Sequence, residues 1–108
     1  MLNMRPVAFA CFDTSVDSIE VKTRYRCSVA FSEEGVYDIT LDQDLDEDYM
    51  DVSSAVRGGT TEGAGTVRSL TVVSTSNTVK RLLVRDDTGA FATPATINIT
   101  FRRMPSVV

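Results

Sequence analysis

The side chains most capable of chemistry are the acids between positions 42 and 51. Asp42, Asp44, Asp46, Glu47, Asp48 and Asp51 fall in that short stretch with no base among them. Asp42-x-Asp44-x-Asp46 places hard oxygen donors at alternate positions, as the opening of a calcium loop does. The pattern then departs from such a loop: Glu47 stands where the turn glycine belongs, and Ser53 where the bidentate glutamate belongs. A solvated acidic turn is therefore expected, with a non-EF calcium site at a subunit boundary as the alternative. Paired carboxylates also serve glycosidases. Every acid here equally suits a surface turn, and the chain is short for a glycan cleft.

Other reactive groups are sparse. The sequence contains no histidine, the commonest general base and metal ligand. Cys11 and Cys27 lack the close spacing of a structural zinc site. Both fall at alternating strand positions, where a thiol behaves as a small buried hydrophobe; two reduced core thiols are expected, with a disulfide as the alternative. Gly58-Gly59 and Gly63-Ala64-Gly65 resemble a phosphate loop in glycine content alone, without its lysine. The expectation is a protein that binds or builds, with no catalytic residues, no bound metal and no cofactor.

The elements that carry these residues read as strands. A chain of 108 residues fits one domain, 1–108, and its valine and threonine favour pleated sheet. Apolar-rich runs separated by turn signals continue from end to end, the pattern of a sandwich or barrel. The first run is Val7 to Phe12, and Ser15 to Thr23 follows without a clean period. Tyr25, Cys27, Val29 and Phe31 alternate with Arg24, Arg26, Ser28 and Ala30, which predicts a half-buried strand. Ser32-Glu33-Glu34-Gly35 predicts a turn, and Tyr37, Ile39 and Leu41 alternate on the return. Further strands are predicted over Tyr49 to Val56, Thr66 to Val73 and Val79 to Arg85. After the turn Asp86-Asp87-Thr88-Gly89, the run Ile97, Ile99, Phe101 gives the last. The fold class is thus all-β, an antiparallel β-sandwich, jelly-roll-like, of seven to eight strands. Arg57 to Gly65 is the expected mobile loop.

Charge and the termini complete the reading. A net charge of −4 argues against a general nucleic-acid binder. No apolar run of about 18 residues predicts insertion into a membrane. Met1 to Pro6 lacks the regions of a signal peptide, so maturation in the cytoplasm is expected. Outside the acidic cluster the chain is slightly basic, with Arg24, Arg26, Lys80, Arg81, Arg85, Arg102 and Arg103 on or beside strands. These read either as outward-facing strand charge that blocks aggregation or as patches that meet acids on another subunit. The apolar ends, 1–6 and 103–108, are either frayed or docking tails.

One segment has a wider likeness. Tyr25-Arg26-Cys27-Ser28-Val29-Ala30-Phe31, then Gly35-Val36-Tyr37-Asp38-Ile39-Thr40-Leu41, an acidic loop and Tyr49, resembles a bacteriophage module found at tail-fibre tips and in small virion surface proteins. Ala8 to Asp13 looks like its opening strand, and Asp86 through Phe101 like its closing turn and strand. Arg24 and Tyr25 replace the module's Asn-Val start, and the acidic loop is unusually charged. The resemblance implies a β-sandwich that assembles as a homotrimer, made in the host cytoplasm and carried on the virion surface. A fibre tip needs an upstream stalk, and none precedes the first strand here, so capsid decoration on the phage major capsid protein is the expected role. A separately encoded fibre tip or adhesin that binds a host receptor is the alternative, and a non-phage sandwich module a second. Interaction is expected through Arg24, Arg26, Arg57, Tyr49, Phe91, Arg102 and Arg103, with Asp42, Asp44, Asp46, Glu47 and Asp48 as an acidic contact patch. In the receptor-binding reading, Tyr49 and Phe91 stack against the ligand; their alternative is core packing.

Overall fold

A computed structural model of the protein describes residues 6–57 and 69–105. The alternation seen in the sequence becomes eight strands: β1 (Pro6–Thr14), β2 (Ile19–Tyr25), β3 (Cys27–Glu33), β4 (Val36–Leu41), β5 (Met50–Arg57), β6 (Ser69–Ser74), β7 (Val79–Arg85) and β8 (Thr96–Arg103). They form two antiparallel sheets, ordered β2-β1-β8-β5 and β3-β4-β7-β6. The described residues contain no α-helix, only a 3-10 turn over Glu47–Tyr49. The expected mobile loop lies outside the described residues from 58 onward, while Arg57 ends β5.

Period-two burial decides which face of each strand meets the other sheet. In sheet one, Ala8, Ala10 and Phe12 face inward beside Ile97, Ile99 and Phe101. In sheet two, Tyr37 and Ile39 pair with Leu82 and Lys80, and all four are fully buried. Tyr37 ties the layers together: its ring meets Phe12 and Phe31 edge-on at 5.6 and 6.1 Å, a favoured aromatic geometry. The first and last strands lie side by side in the middle of sheet one. Closing that sheet therefore requires the whole chain.

Four expectations change. Ser15–Thr23 has no clean period, yet Ile19–Tyr25 is a strand; it lies at the sheet edge and is mostly exposed, so no buried face imposes alternation. The strand expected to run unbroken through Tyr25 and Cys27 is cut at Arg26, whose φ of 55° is left-handed. That residue carries the chain from sheet one to sheet two. Cys11 is not a core thiol: it pairs with Asn98 on the outer face and is half-buried, while Cys27 is buried. Both are free. Lys80, read as an outward charge, is fully buried.

The tails expected at 1–6 and 103–108 overlap the strands. Pro6 begins β1, Arg103 ends β8, and residues 1–5 and 106–108 lie outside the described residues.

Candidate interaction site

The acidic loop is the crossover from β4 in sheet two to β5 in sheet one. Its anchor is apolar: Leu45 is fully buried, and its N–H donates to the Asn77 carbonyl at 2.7 Å. Lys80 holds the loop from beneath. Its Nζ donates to the carbonyl of Leu45 at 2.5 Å, to Ser74 Oγ at 2.7 Å and to the carbonyl of Ser76 at 2.9 Å. Burial pushes the ammonium's pKa below its usual range, while the charges of Glu47, Asp46 and Asp44 oppose that shift. Among the described residues no three acidic or cysteine side chains converge on a metal-sized position. Asp46 instead caps the 3-10 turn, accepting from the Asp48 N–H at 2.9 Å.

The expected interaction residues separate into two groups. At the acidic-loop end, the Asp42 N–H donates to the Arg26 carbonyl at 3.1 Å and the Met104 N–H to that of Tyr49 at 2.7 Å. Arg103 donates to the Asp44 carbonyl. Arg24, Arg26, Ser28, Thr40 and Asp42 line an open cleft of about 450 Å³ there. Arg24 reaches the carbonyl of Cys27 at 3.3 Å. The Arg26 guanidinium lies 5.4 Å from the Tyr25 ring centre, and Tyr25 stacks on Phe9 at 5.3 Å. Cation–π contact of this kind leaves the guanidinium wet and available.

Arg57 and Phe91 occupy the opposite end. Arg57 pairs with Thr96 at the start of β8, whereas Met50 pairs with Arg103 at its finish. That separates the two groups by roughly 23 Å at a strand rise of about 3.3 Å per residue. Tyr49 and Phe91 are both exposed, at 45% and 42%, so core packing is not the role of either. They cannot flank one ligand. Phe91 is covered on one side by the Arg85 guanidinium, 4.7 Å from its ring centre.

Several expected contact arginines are already engaged within the chain. Arg102 donates to Ser53 Oγ at 2.5 Å and lies 3.9 Å from Asp51. Arg57 donates to Thr96 Oγ1 at 3.0 Å, and the Thr96 hydroxyl donates to Asp13 Oδ1 at 3.0 Å. Arg81 grips Asp38 through two bonds, 2.8 and 3.0 Å, across β4 and β7. The guanidinium holds that carboxyl below the usual carboxylate range. Sequence reasoning missed Leu45 and Lys80. A lone leucine among acids was the available signal for the first; for the second there was none, because lysine in an exposed strand and lysine in this core look alike.

No family model, curated protein or solved structure matches the chain.

Proposed function

We propose that the protein is a non-catalytic virion surface component, a capsid decoration subunit that associates with copies of itself on the phage shell. The observation that carries the reading is the segment that resembles the phage module. Its two strands, Cys27–Glu33 and Val36–Leu41, form a hairpin closed at Gly35, and an acidic crossover follows. The surroundings are suited to contact. The loop acids surround a buried leucine, and the cleft beside them carries both arginine and aspartate, so neighbouring subunits meet mixed charge that fixes register.

Electron microscopy of phage particles with gold-labelled antibody tests the proposal. Label arrayed over the heads is the expected result, and particles without label overturn it. Label at the tail tips favours the adhesin reading, in which Tyr49 or Phe91, exposed at opposite ends, offers one ring to the ligand. In that case the purified protein blocks adsorption.

A further inference from the structure

We propose that β5 is a two-fold pairing edge, through which a second copy of this chain extends sheet one across a dyad at Ser54. The proposal rests on the self-association put forward above, though not on the virion location.

The four edge strands differ in how they are protected. β2 is interrupted by a bulge that leaves Lys22 without a partner between Thr23 and Val21. β3 is interrupted between Phe31 and Glu33 and ends among acids. A bulge and a charge on an edge are the usual means of preventing strand addition. β5 has neither. It pairs with β8 in unbroken register from Met50 to Arg57, and Val52 through Val56 carry no charge. Ser53, Ser54 and Ala55 are exposed, and β8 is the strand's sole sheet partner among the described residues. The remaining edge, β6, carries no charge at all, and so offers no ion pair to set a register.

The sequence of β5 is complementary to itself when reversed. With Ser54 opposite its own mate, Ser53 faces Ala55 of the second copy, Val52 faces its Val56, and Asp51 faces its Arg57. Directly opposite residues in an antiparallel pair share a face. In this register Asp51, Ser53, Ala55 and Arg57 all stay on the outer face, with Val52, Ser54 and Val56 on the inner one. A slip of one residue mixes the faces; a slip that moves the dyad to Ser53 sets Asp51 opposite Ala55, and one that moves it to Ala55 sets Arg57 opposite Ser53, so every Asp51–Arg57 pair is lost. The half-buried Val52 and Val56 of both copies then join across the dyad. Such a contact is isologous and gives two-fold symmetry, where the resemblance to the phage module implies a trimer.

Sedimentation equilibrium of the full chain at micromolar concentration is expected to give twice the mass of one chain. Ser54→Lys sets two ammonium groups against each other at the dyad and is expected to give a monomer with an unchanged far-UV spectrum. In a Cys11→Ser background, Ser54→Cys is expected to cross-link to its own mate under mild oxidation. Ser53→Cys, opposite alanine, is expected to remain uncross-linked. Should Ser54→Lys fail to fold, the cysteine pair decides alone. A wild-type monomer, a trimer, a dimer that survives Ser54→Lys, or a dimer in which Ser54→Cys does not cross-link overturns the proposal. A dimer with no label on phage heads overturns the virion reading alone, and labelled heads with a monomer in solution overturn this one alone.

Discussion

Gly35 and Gly89 adopt nearly the same backbone, φ 78° and 88°, in different surroundings. A Cβ on Gly35 sits 2.9 Å from the Val84 carbonyl oxygen and 3.0 Å from the Ala92 nitrogen, while one on Gly89 meets nothing within 4 Å. Gly89→Ala therefore incurs only the left-handed strain, about 1 kcal/mol. Gly35→Ala adds a backbone clash at the β3–β4 turn, for a loss of about 3 kcal/mol. Urea unfolding of the two variants is expected to show that difference in midpoint. Lys80 supplies the second test. Lys80→Met keeps the length of the side chain but removes three donors from the Leu45 and Ser76 carbonyls and the Ser74 hydroxyl. Two of those acceptors are backbone oxygens at a buried end, and leaving them unsatisfied is expected to lower stability by about 3 kcal/mol, again read from urea unfolding. The turn at Gly35 was legible in the sequence because glycine before an alternating run is a local signal. The place of Lys80 was not, because it depends on Leu45, which is distant in sequence.

Between elements, the Asp38–Arg81 pair joins β4 to β7 on the outer face of sheet two. Arg81 lowers the Asp38 pKa below 3.8, so the folded state releases that proton more readily than the unfolded chain. The stability this contributes is fully present above the unfolded value and is lost as pH falls through the folded one. Asp38→Asn is accordingly expected to flatten the acid limb of a stability profile below about pH 4, while Arg81→Met leaves Asp38 to titrate normally. Thermal melts at stepped acidic pH check both. Element type was legible in the buried strands: β4 and β8 alternate plainly, β7 reads as an apolar-rich run between turns, and their expected spans lie within a residue or two of the observed ones. β2 was not, because an edge strand held by backbone bonds to a single neighbour imposes no alternation on its side chains.

At the scale of the whole molecule, the pairing of β1 with β8 makes the fold non-local. β8 lies between β1 and β5 and supplies Ile97, Ile99 and Phe101 to the core. A chain that ends at Ala95 is therefore expected to lose its cooperative thermal transition, with circular dichroism as the measurement, rather than to retain a shortened sandwich. The sequence by itself determined the all-β class, a count of seven to eight strands, most turns and the inward residues of β4 and β8. All of these follow from side-chain period and local backbone preference, which are properties of neighbouring residues. The tertiary structure alone decided how those strands are ordered and which charges meet. It turned Lys80 inward, exposed Tyr49 and Phe91, set Arg57 at the opposite end from Arg103, and placed β5 at an edge of sheet one among the described residues. Each of those outcomes depends on which strands lie side by side, and period-two patterning says which face of a strand is buried without saying what lies at its edge.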